Sequence, residues 1–471
     1  MALDTLDKVL SGLKNAVVRE GDRIVVLDET RLPGLMDGLI FEAVFGESES
    51  KAAARWVIWE ASQALGIRPA SIHAFYKAMG RGEVPGRFTV PAMNLRMLTY
   101  DSARAIFRAA RRIDAGALIF EIARSEIGYT DQRPAEYATA VLAAAIREGH
   151  RGPVFLQGDH FQTSGKKYAA APEAELEAIR ELIRESIAAG FYNIDIDTST
   201  LVDLSQTELD AQQKLNYGLC ADFTAFIRSH EPAGVTISVG GEIGEVGQKN
   251  STPADLDAFM RGYNARIGGA AGISKISIQT GTSHGGVVLP DGSLARAAID
   301  FDVLKALSEK ARREYGMGGA VQHGASTLPE TAFHKFVEAG TCEVHLATAF
   351  QSLVIEHEAV PEALRREMYE WLKTNAADER KPTDTNAQFF YKARKKAVGP
   401  FKKRFWTLPA DARAAIGASL EKMFGFLFGQ LGIAGTAAAV KNIVAAPEIH
   451  EPLPTGGVKS VKGENVDDLA D

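Results

Sequence analysis

Three histidines follow short apolar runs and stand beside small or acidic residues. His160 follows Asp159 at the end of Phe155-Leu156-Gln157-Gly158, His284 lies within Gly281-Thr282-Ser283-His284-Gly285-Gly286, and His323 opens His323-Gly324-Ala325-Ser326. Two further runs end in carboxylates, Asp197 and Glu242. Three imidazoles, a nearby carboxylate and one open position are a donor set for a catalytic divalent cation, Zn²⁺ above all. His160 and His284 are more than a hundred residues apart, so no local finger-type spacing exists. They can meet only if the runs that carry them end on one rim. A single histidine at a run's end is ordinarily a hydrogen-bonded surface group. Five consecutive runs ending in histidine or carboxylate are harder to ascribe to packing, because buried charges need partners. The glycine- and hydroxyl-rich stretches 281–286 and 323–326 present backbone N–H groups suited to a phosphate, although ordinary turns use the same residues.

The runs recur with a rhythm. Phe88–Ala92, Ala117–Ile122, Pro153–Leu156, Tyr192–Ile196, Val235–Val239, Ile273–Ile278, Ala320–Gln322 and Glu343–Leu346 read as strands. Between them, Ala103–Ile113, Glu136–Glu148, Glu173–Ala189, Leu209–Ser229, Pro253–Tyr263, Asp302–Tyr315 and Pro329–Ala339 carry apolar residues at three- and four-residue intervals, as helices do. Strand–helix alternation implies a parallel sheet, since parallel neighbours need a crossover. Eight such units predict a closed (β/α)8 TIM barrel, with an open doubly wound sheet as the alternative. In the barrel, residues that follow the strands share one face, which supplies the rim the histidines require. Residues 1–85 read as a helical extension, with Leu6, Val9, Leu10, Leu13 and Val17 near helical spacing. Residues 86–375 form the barrel and 376–453 a C-terminal helical segment with a helix over Pro409–Gln430. Residues 454–471 form a Gly-, Lys- and Asp-containing tail expected to be disordered.

Composition narrows the class. The 471 residues are 46% hydrophobic and 24% charged, which excludes collagen-like and disordered readings. A net charge of −7 argues against nucleic acid or an anionic membrane surface as partner. Cys220 and Cys342 are the only cysteines, so no disulfide framework holds the fold and a reducing cytoplasm is expected. No uncharged apolar run reaches ~18 residues, and Met1-Ala2-Leu3-Asp4 opens no secretory leader. The chain reads as a soluble cytoplasmic protein, expected to form a homo-oligomer.

In combination these motifs resemble the class II (metal-dependent) fructose- and tagatose-bisphosphate aldolases. Thr89-Val90-Pro91-Ala92-Met93-Asn94 is similar to the family's first strand, Asp159-His160 to its Asp-His pair, and Ile196-Asp197-Thr198-Ser199 to its Ile-Asp-x-Ser strand. Gly241-Glu242-Ile243-Gly244 resembles Glu-Leu-Gly, Gly281-Thr282-Ser283-His284-Gly285 is nearly letter for letter the family's Gly-Thr-Ser-His-Gly, and His323-Gly324-Ala325-Ser326 is similar to His-Gly-Gly-Ser. The resemblance covers roughly residues 88–350. It implies Zn²⁺ or another divalent cation on His160, His284 and His323, with Glu242 at an alternative metal position. A monovalent cation beside it is a further expected cofactor. Asp159 would hydrogen-bond or protonate the aldehyde oxygen from a near-neutral state. Gly285, Gly324, Ser326 and Thr348 would hold the phosphate of a sugar-phosphate substrate, with Asn94 and Asp197 as further substrate contacts. Arg394, from the basic segment 392–404, would be a further anion contact. The reaction implied is reversible aldol cleavage through a metal-stabilised enediolate. Two departures stand out. The family's strand-eight Asn-x-Asp-Thr-Asp is here His345-Leu346-Ala347-Thr348-Ala349, and the loop Glu that serves as carbon-acid base is replaced by Lys249-Asn250, leaving Glu245 as nearest carboxylate. A changed substrate, or a non-catalytic barrel subunit of the tagatose-bisphosphate aldolase partner type, would each produce this pattern.

Overall fold

The alternating strands close on themselves in the computed structural model, which describes residues 2–244, 249–281, 289–290, 299–325, 328–329, 332–458 and 469. The strands in chain order are β1 (Val17–Glu20), β2 (Arg23–Val26), β3 (Ile67–Pro69), β4 (Val90–Asn94), β5 (Ile119–Ala123), β6 (Gly152–Gln162), β7 (Asn193–Asp197), β8 (Ser238–Glu242), β9 (Lys275–Ser277), β10 (Ala320–Gln322) and β11 (Glu343–Leu346). β4 through β11 pair in sequence order, all parallel, and β11 returns to β4, closing an eight-stranded (β/α)8 TIM barrel. The eight sequence runs correspond one to one with these strands. β3 adds to the outer end of the long β6.

β6 carries the feature that matters most for the site. Its register with β7 slips between Gly158 and Phe161, and His160 sits there at φ 40°, in the left-handed region that few non-glycine residues adopt. In a regular strand consecutive side chains point to opposite faces. The bulge instead lets both Asp159 and His160 turn into the barrel. Gly158 makes room for it: a Cβ there would lie 2.4 Å from the Phe161 ring.

Helices cover the outside. Leu209–Arg228 packs on Pro253–Ile267, and Thr99–Arg112 packs on Ala410–Gln430, the long C-terminal helix anticipated from the sequence. The N-terminal layer contains helices Ala2–Gly12, Leu32–Phe45, Ser48–Ala64 and His73–Gly80, but also the antiparallel hairpin β1–β2. Val17, grouped with a helix on spacing, opens that hairpin; the helix ends at Gly12, and Lys14 and Asn15 take positive φ to turn the chain. The helix expected over Pro329–Ala339 is regular only over His334–Glu338. Near the C-terminus the chain is a strap across the N-terminal layer: Trp56 and Trp59 donate their indole N–H groups to the carbonyls of Glu451 (3.1 Å) and Ile449 (2.8 Å). The strap reaches into the stretch expected to be disordered, where Val458 N–H donates to Ser48 O at 3.2 Å. Among the described residues, no helix is long and apolar enough to cross a membrane.

Candidate metal centre and active site

The carboxyl ends of β6, β7, β8 and β10 bring Asp159, His160, Asp197, Glu242 and His323 together, although His323 lies 163 residues beyond His160. His160 Nε2 faces His323 Nδ1 at 2.9 Å. The outer nitrogen of each ring is held from behind: His160 Nδ1 lies 3.1 Å from Asp197 Oδ2 and 3.3 Å from Glu242 Oε2, and His323 Nε2 lies 2.9 Å from Ser277 Oγ. With an N–H on each outer nitrogen, the two facing nitrogens offer lone pairs to one point. Lone pairs so opposed repel, and a shared proton or a cation relieves that. A carboxylate fixing the tautomer of a ligating histidine is the usual support of a metal site. The residues present therefore fit a divalent cation.

The electrostatics agree. Burial alone would lower His160, but Asp159, Glu242 and Asp197 outweigh it and raise the imidazole well above its ordinary value, so the pocket attracts positive charge. Glu242 is pushed up to about 7 by burial and by Asp197, against the pull of His160. Asp197 donates nothing and accepts from Gln162 Nε2 at 2.6 Å and Ser199 Oγ at 2.6 Å; these bonds and His160 overcome burial and keep it low. Asp159 departs from expectation. Burial would raise it, yet the imidazoles of His160, His345 and His323 hold it well below the ordinary carboxylate range, so it is an ionised acceptor rather than a near-neutral donor. Its Oδ2 accepts from Asn94 Nδ2 at 2.9 Å, and the same amide nitrogen reaches Glu126 Oε2 at 2.9 Å.

Beneath this cluster the barrel interior is charged. Lys275 Nζ on β9 donates to Asp195 Oδ2 (2.9 Å), Gln157 Oε1 (2.7 Å) and Glu343 Oε1 (2.5 Å), and Glu343 also accepts from Tyr76 Oη. Glu343 is held down to about 2, chiefly by Lys275 against the opposing effect of burial, whereas burial pushes Glu121 up to about 8. Gly240 makes the ion pair possible, since a Cβ there would stand 2.3 Å from Asp195 Oδ1. His345 on β11 joins the two layers, and its ring lies 4.0 Å from that of His323.

His345, Glu121, Asp195, Lys275 and Glu343 were not singled out from the sequence as site residues. A signal existed: Asp195-Ile196-Asp197 and Glu343-Val344-His345 alternate polar with apolar, and in a barrel one of the two faces is the interior. Among the expected substrate contacts, Asn94 is at the cluster, Gly324 follows His323 at φ 70°, and Thr348 begins the helix Thr348–Glu356 that leaves β11. Arg394, from the turn Arg394–Ala397, is buried against that helix instead, donating to Glu356 Oε1 (2.5 Å) and Ser352 Oγ (2.5 Å) and lying over the Tyr391 ring. Glu245, His284, Gly285 and Ser326 lie outside the described residues.

No curated protein sequence matches the chain. Among solved structures, a glycerol complex of the fructuronate-tagaturonate epimerase UxaE from Cohnella laeviribosi superposes with a TM-score of 0.55 at 12% identity, covering 89% of this chain and 90% of that one. A probable tagatose 6 phosphate kinase from Sinorhizobium meliloti 1021 gives 0.51 at 17% identity, covering 78% and 95%. At these identities the likeness is one of fold. The model of the family described as fructose-bisphosphate aldolase class-II matches residues 77–405. That match spans the whole barrel and the motifs that line its mouth, and the chain belongs to the class II fructose-bisphosphate aldolase family.

Proposed function

We propose that this chain is a divalent-cation-dependent lyase, Zn²⁺ being the first candidate, that reversibly cleaves a carbon–carbon bond in a phosphorylated ketose such as fructose 1,6-bisphosphate. The observation that carries the reading is the facing pair His160 Nε2 and His323 Nδ1, 2.9 Å apart and each backed by a fixed partner. His284 is the third imidazole of the proposed set, with Glu242 as an alternative ligand. When bound, the cation polarises the ketose carbonyl and offsets the negative charge that develops on its oxygen.

The chain's own residues do the rest. Ionised Asp159 accepts the proton of the hydroxyl beside the scissile bond in cleavage, and returns it to the aldehyde oxygen in condensation. Asn94, hydrogen-bonded to Asp159, fixes that carboxylate from the β4 side. Gly285, Gly324, Ser326 and Thr348 are assigned to the substrate phosphate, and Glu245 to the carbon-acid proton. Sugar phosphates as substrates suit a cytoplasmic enzyme.

The test is metal quantification on the purified chain together with cleavage assays on fructose and tagatose 1,6-bisphosphates. About one equivalent of metal per chain, and activity lost to a chelator and restored by Zn²⁺, is expected. Bound metal without turnover of any sugar bisphosphate overturns the reading. A second reading, a non-catalytic barrel subunit, is favoured by the missing carboxylates at Ala347 and Ala349 and by Lys249-Asn250 in place of the loop Glu. Bound metal without turnover in the same assays would select it.

A further inference from the structure

His345 is 5% exposed and ringed by carboxylates from four strands. Its Nδ1 lies 3.1 Å from Asp159 Oδ1 on β6 and 3.1 Å from Glu121 Oε1 on β5. Its Nε2 lies 2.6 Å from Glu343 Oε1 on β11 and 3.8 Å from Asp195 Oδ2 on β7. Nδ1 lies between two carboxyl oxygens, so its N–H points toward them. The Nδ1–H is directed to Asp159 in a hydrogen bond; Glu121 Oε1 lies equally near, and its partner oxygen takes Gln157 Nε2 at 2.8 Å. Glu343 does not depend on the imidazole, because Lys275, Gln157 and Tyr76 also donate to it.

We propose that His345 is a positioning residue for Asp159. Its Nδ1–H grips Asp159 Oδ1 from β11 while Asn94 Nδ2 grips Oδ2 from β4, 2.9 Å away, so the carboxylate is clamped at both oxygens across the barrel mouth. A carboxylate held this way keeps one orientation toward the substrate hydroxyl, which is worth rate only in the step where that proton moves. The inference rests on the lyase reading. In that step the hydroxyl proton passes to Asp159, the hydroxyl carbon becomes the aldehyde carbonyl, and the electron pair of the broken carbon–carbon bond stays with the ketose-derived fragment. Removing a proton from dihydroxyacetone phosphate uses no aldehyde oxygen, so it does not call on Asp159. His345 therefore matters to cleavage and not to carbon-acid exchange.

The experiment measures two rates on each variant: cleavage of fructose 1,6-bisphosphate, and solvent deuterium exchange into dihydroxyacetone phosphate by NMR. His345→Leu is expected to lose cleavage by ~100-fold with KM little changed, metal content intact and exchange at the wild-type rate. His345→Asn places an amide nitrogen where Nδ1 stands, and is expected to recover most of the cleavage although its contact to Glu343 is gone. Equal loss of both rates in His345→Leu overturns the inference, as does His345→Asn matching Leu, or undiminished cleavage in both. If His345→Leu does not fold, the ratio of the two rates in His345→Asn decides, and a cleavage-to-exchange ratio below a tenth of wild type overturns the proposal. A wild-type chain with neither cleavage nor exchange removes the lyase reading itself, an outcome distinct from all of these.

Discussion

The carboxylate of Asp197 never needs to touch a substrate to matter. It stands 3.1 Å behind His160 Nδ1, anchored by Gln162 and Ser199, and so determines which imidazole nitrogen faces His323. Asp197→Asn should keep the fold while metal affinity falls about 10- to 100-fold, measured by competition against a chromophoric chelator. Unchanged affinity would show that Glu242 alone orients the ring. Asp159→Asn tests a different function. The amide cannot accept the hydroxyl proton, so kcat should fall by ~100-fold or more with metal retained. Residual cleavage near the wild-type rate would transfer the role to another group. His284→Ala should abolish metal binding in a folded chain, read by metal analysis and circular dichroism.

β6 is the element that converts sequence neighbours into site neighbours. Its bulge turns Asp159 and His160 to the same side, and it exists because residue 158 has no side chain to collide with Phe161. Gly158→Ala should cost about 1–3 kcal/mol by overpacking and displace His160 from its place opposite His323. Thermal denaturation and metal content of the same preparation would read both effects. A stable variant with full metal content would show that the bulge tolerates a Cβ. β9 shows the same economy of space, for Gly240 beside it leaves the volume in which Lys275 and Asp195 pair.

At the scale of the whole molecule, two histidines outside the site couple stability to pH. Burial holds His150 down to about 4 and His73 down to about 3, so both are neutral when folded and regain an ordinary value of about 6.5 when unfolded. Between those values the unfolded chain binds more protons, so their contribution is complete above about pH 6.5 and is lost as pH falls toward 4. His150 accepts this state against Phe107, with Nε2 3.2 Å from the Pro153 carbonyl. Between pH 7 and pH 5 this contribution lowers the melting temperature, and His150→Gln should remove it, so the variant should lose less, or gain more, than the wild type over that interval. An identical pH slope in the variant would exclude His150 as a contributor. The opposite trend comes from Glu451 in the C-terminal strap, which burial and Glu60 raise to about 7. Its effect is to erode stability as pH rises from about 4.5 to 7, so the His150 effect is read as the difference between variant and wild type.

Much of this was legible in the amino-acid order. Eight apolar runs with intervening helical periodicity specify a parallel barrel because each strand needs a crossover, and the polar residues at the run ends mark one rim. That reasoning names Asp159, His160, Asp197, Glu242 and His323, because it depends only on period and position along the chain. It does not reach the ionisation of Asp159, which is set by imidazoles contributed from β6, β10 and β11 at once. Nor does it reach His345 or Lys275, whose meaning comes from neighbours on other strands: a lone histidine between apolar residues reads the same whether it packs, ligates or holds a carboxylate. Hairpin β1–β2 escaped because the helical spacing of Leu6, Val9, Leu10 and Leu13 runs on to Val17, the first residue of β1. Local order along a chain is written in its periodicity; charge states and partnerships are many-body quantities, and they exist only once closure of the barrel has brought distant strands within a few ångströms.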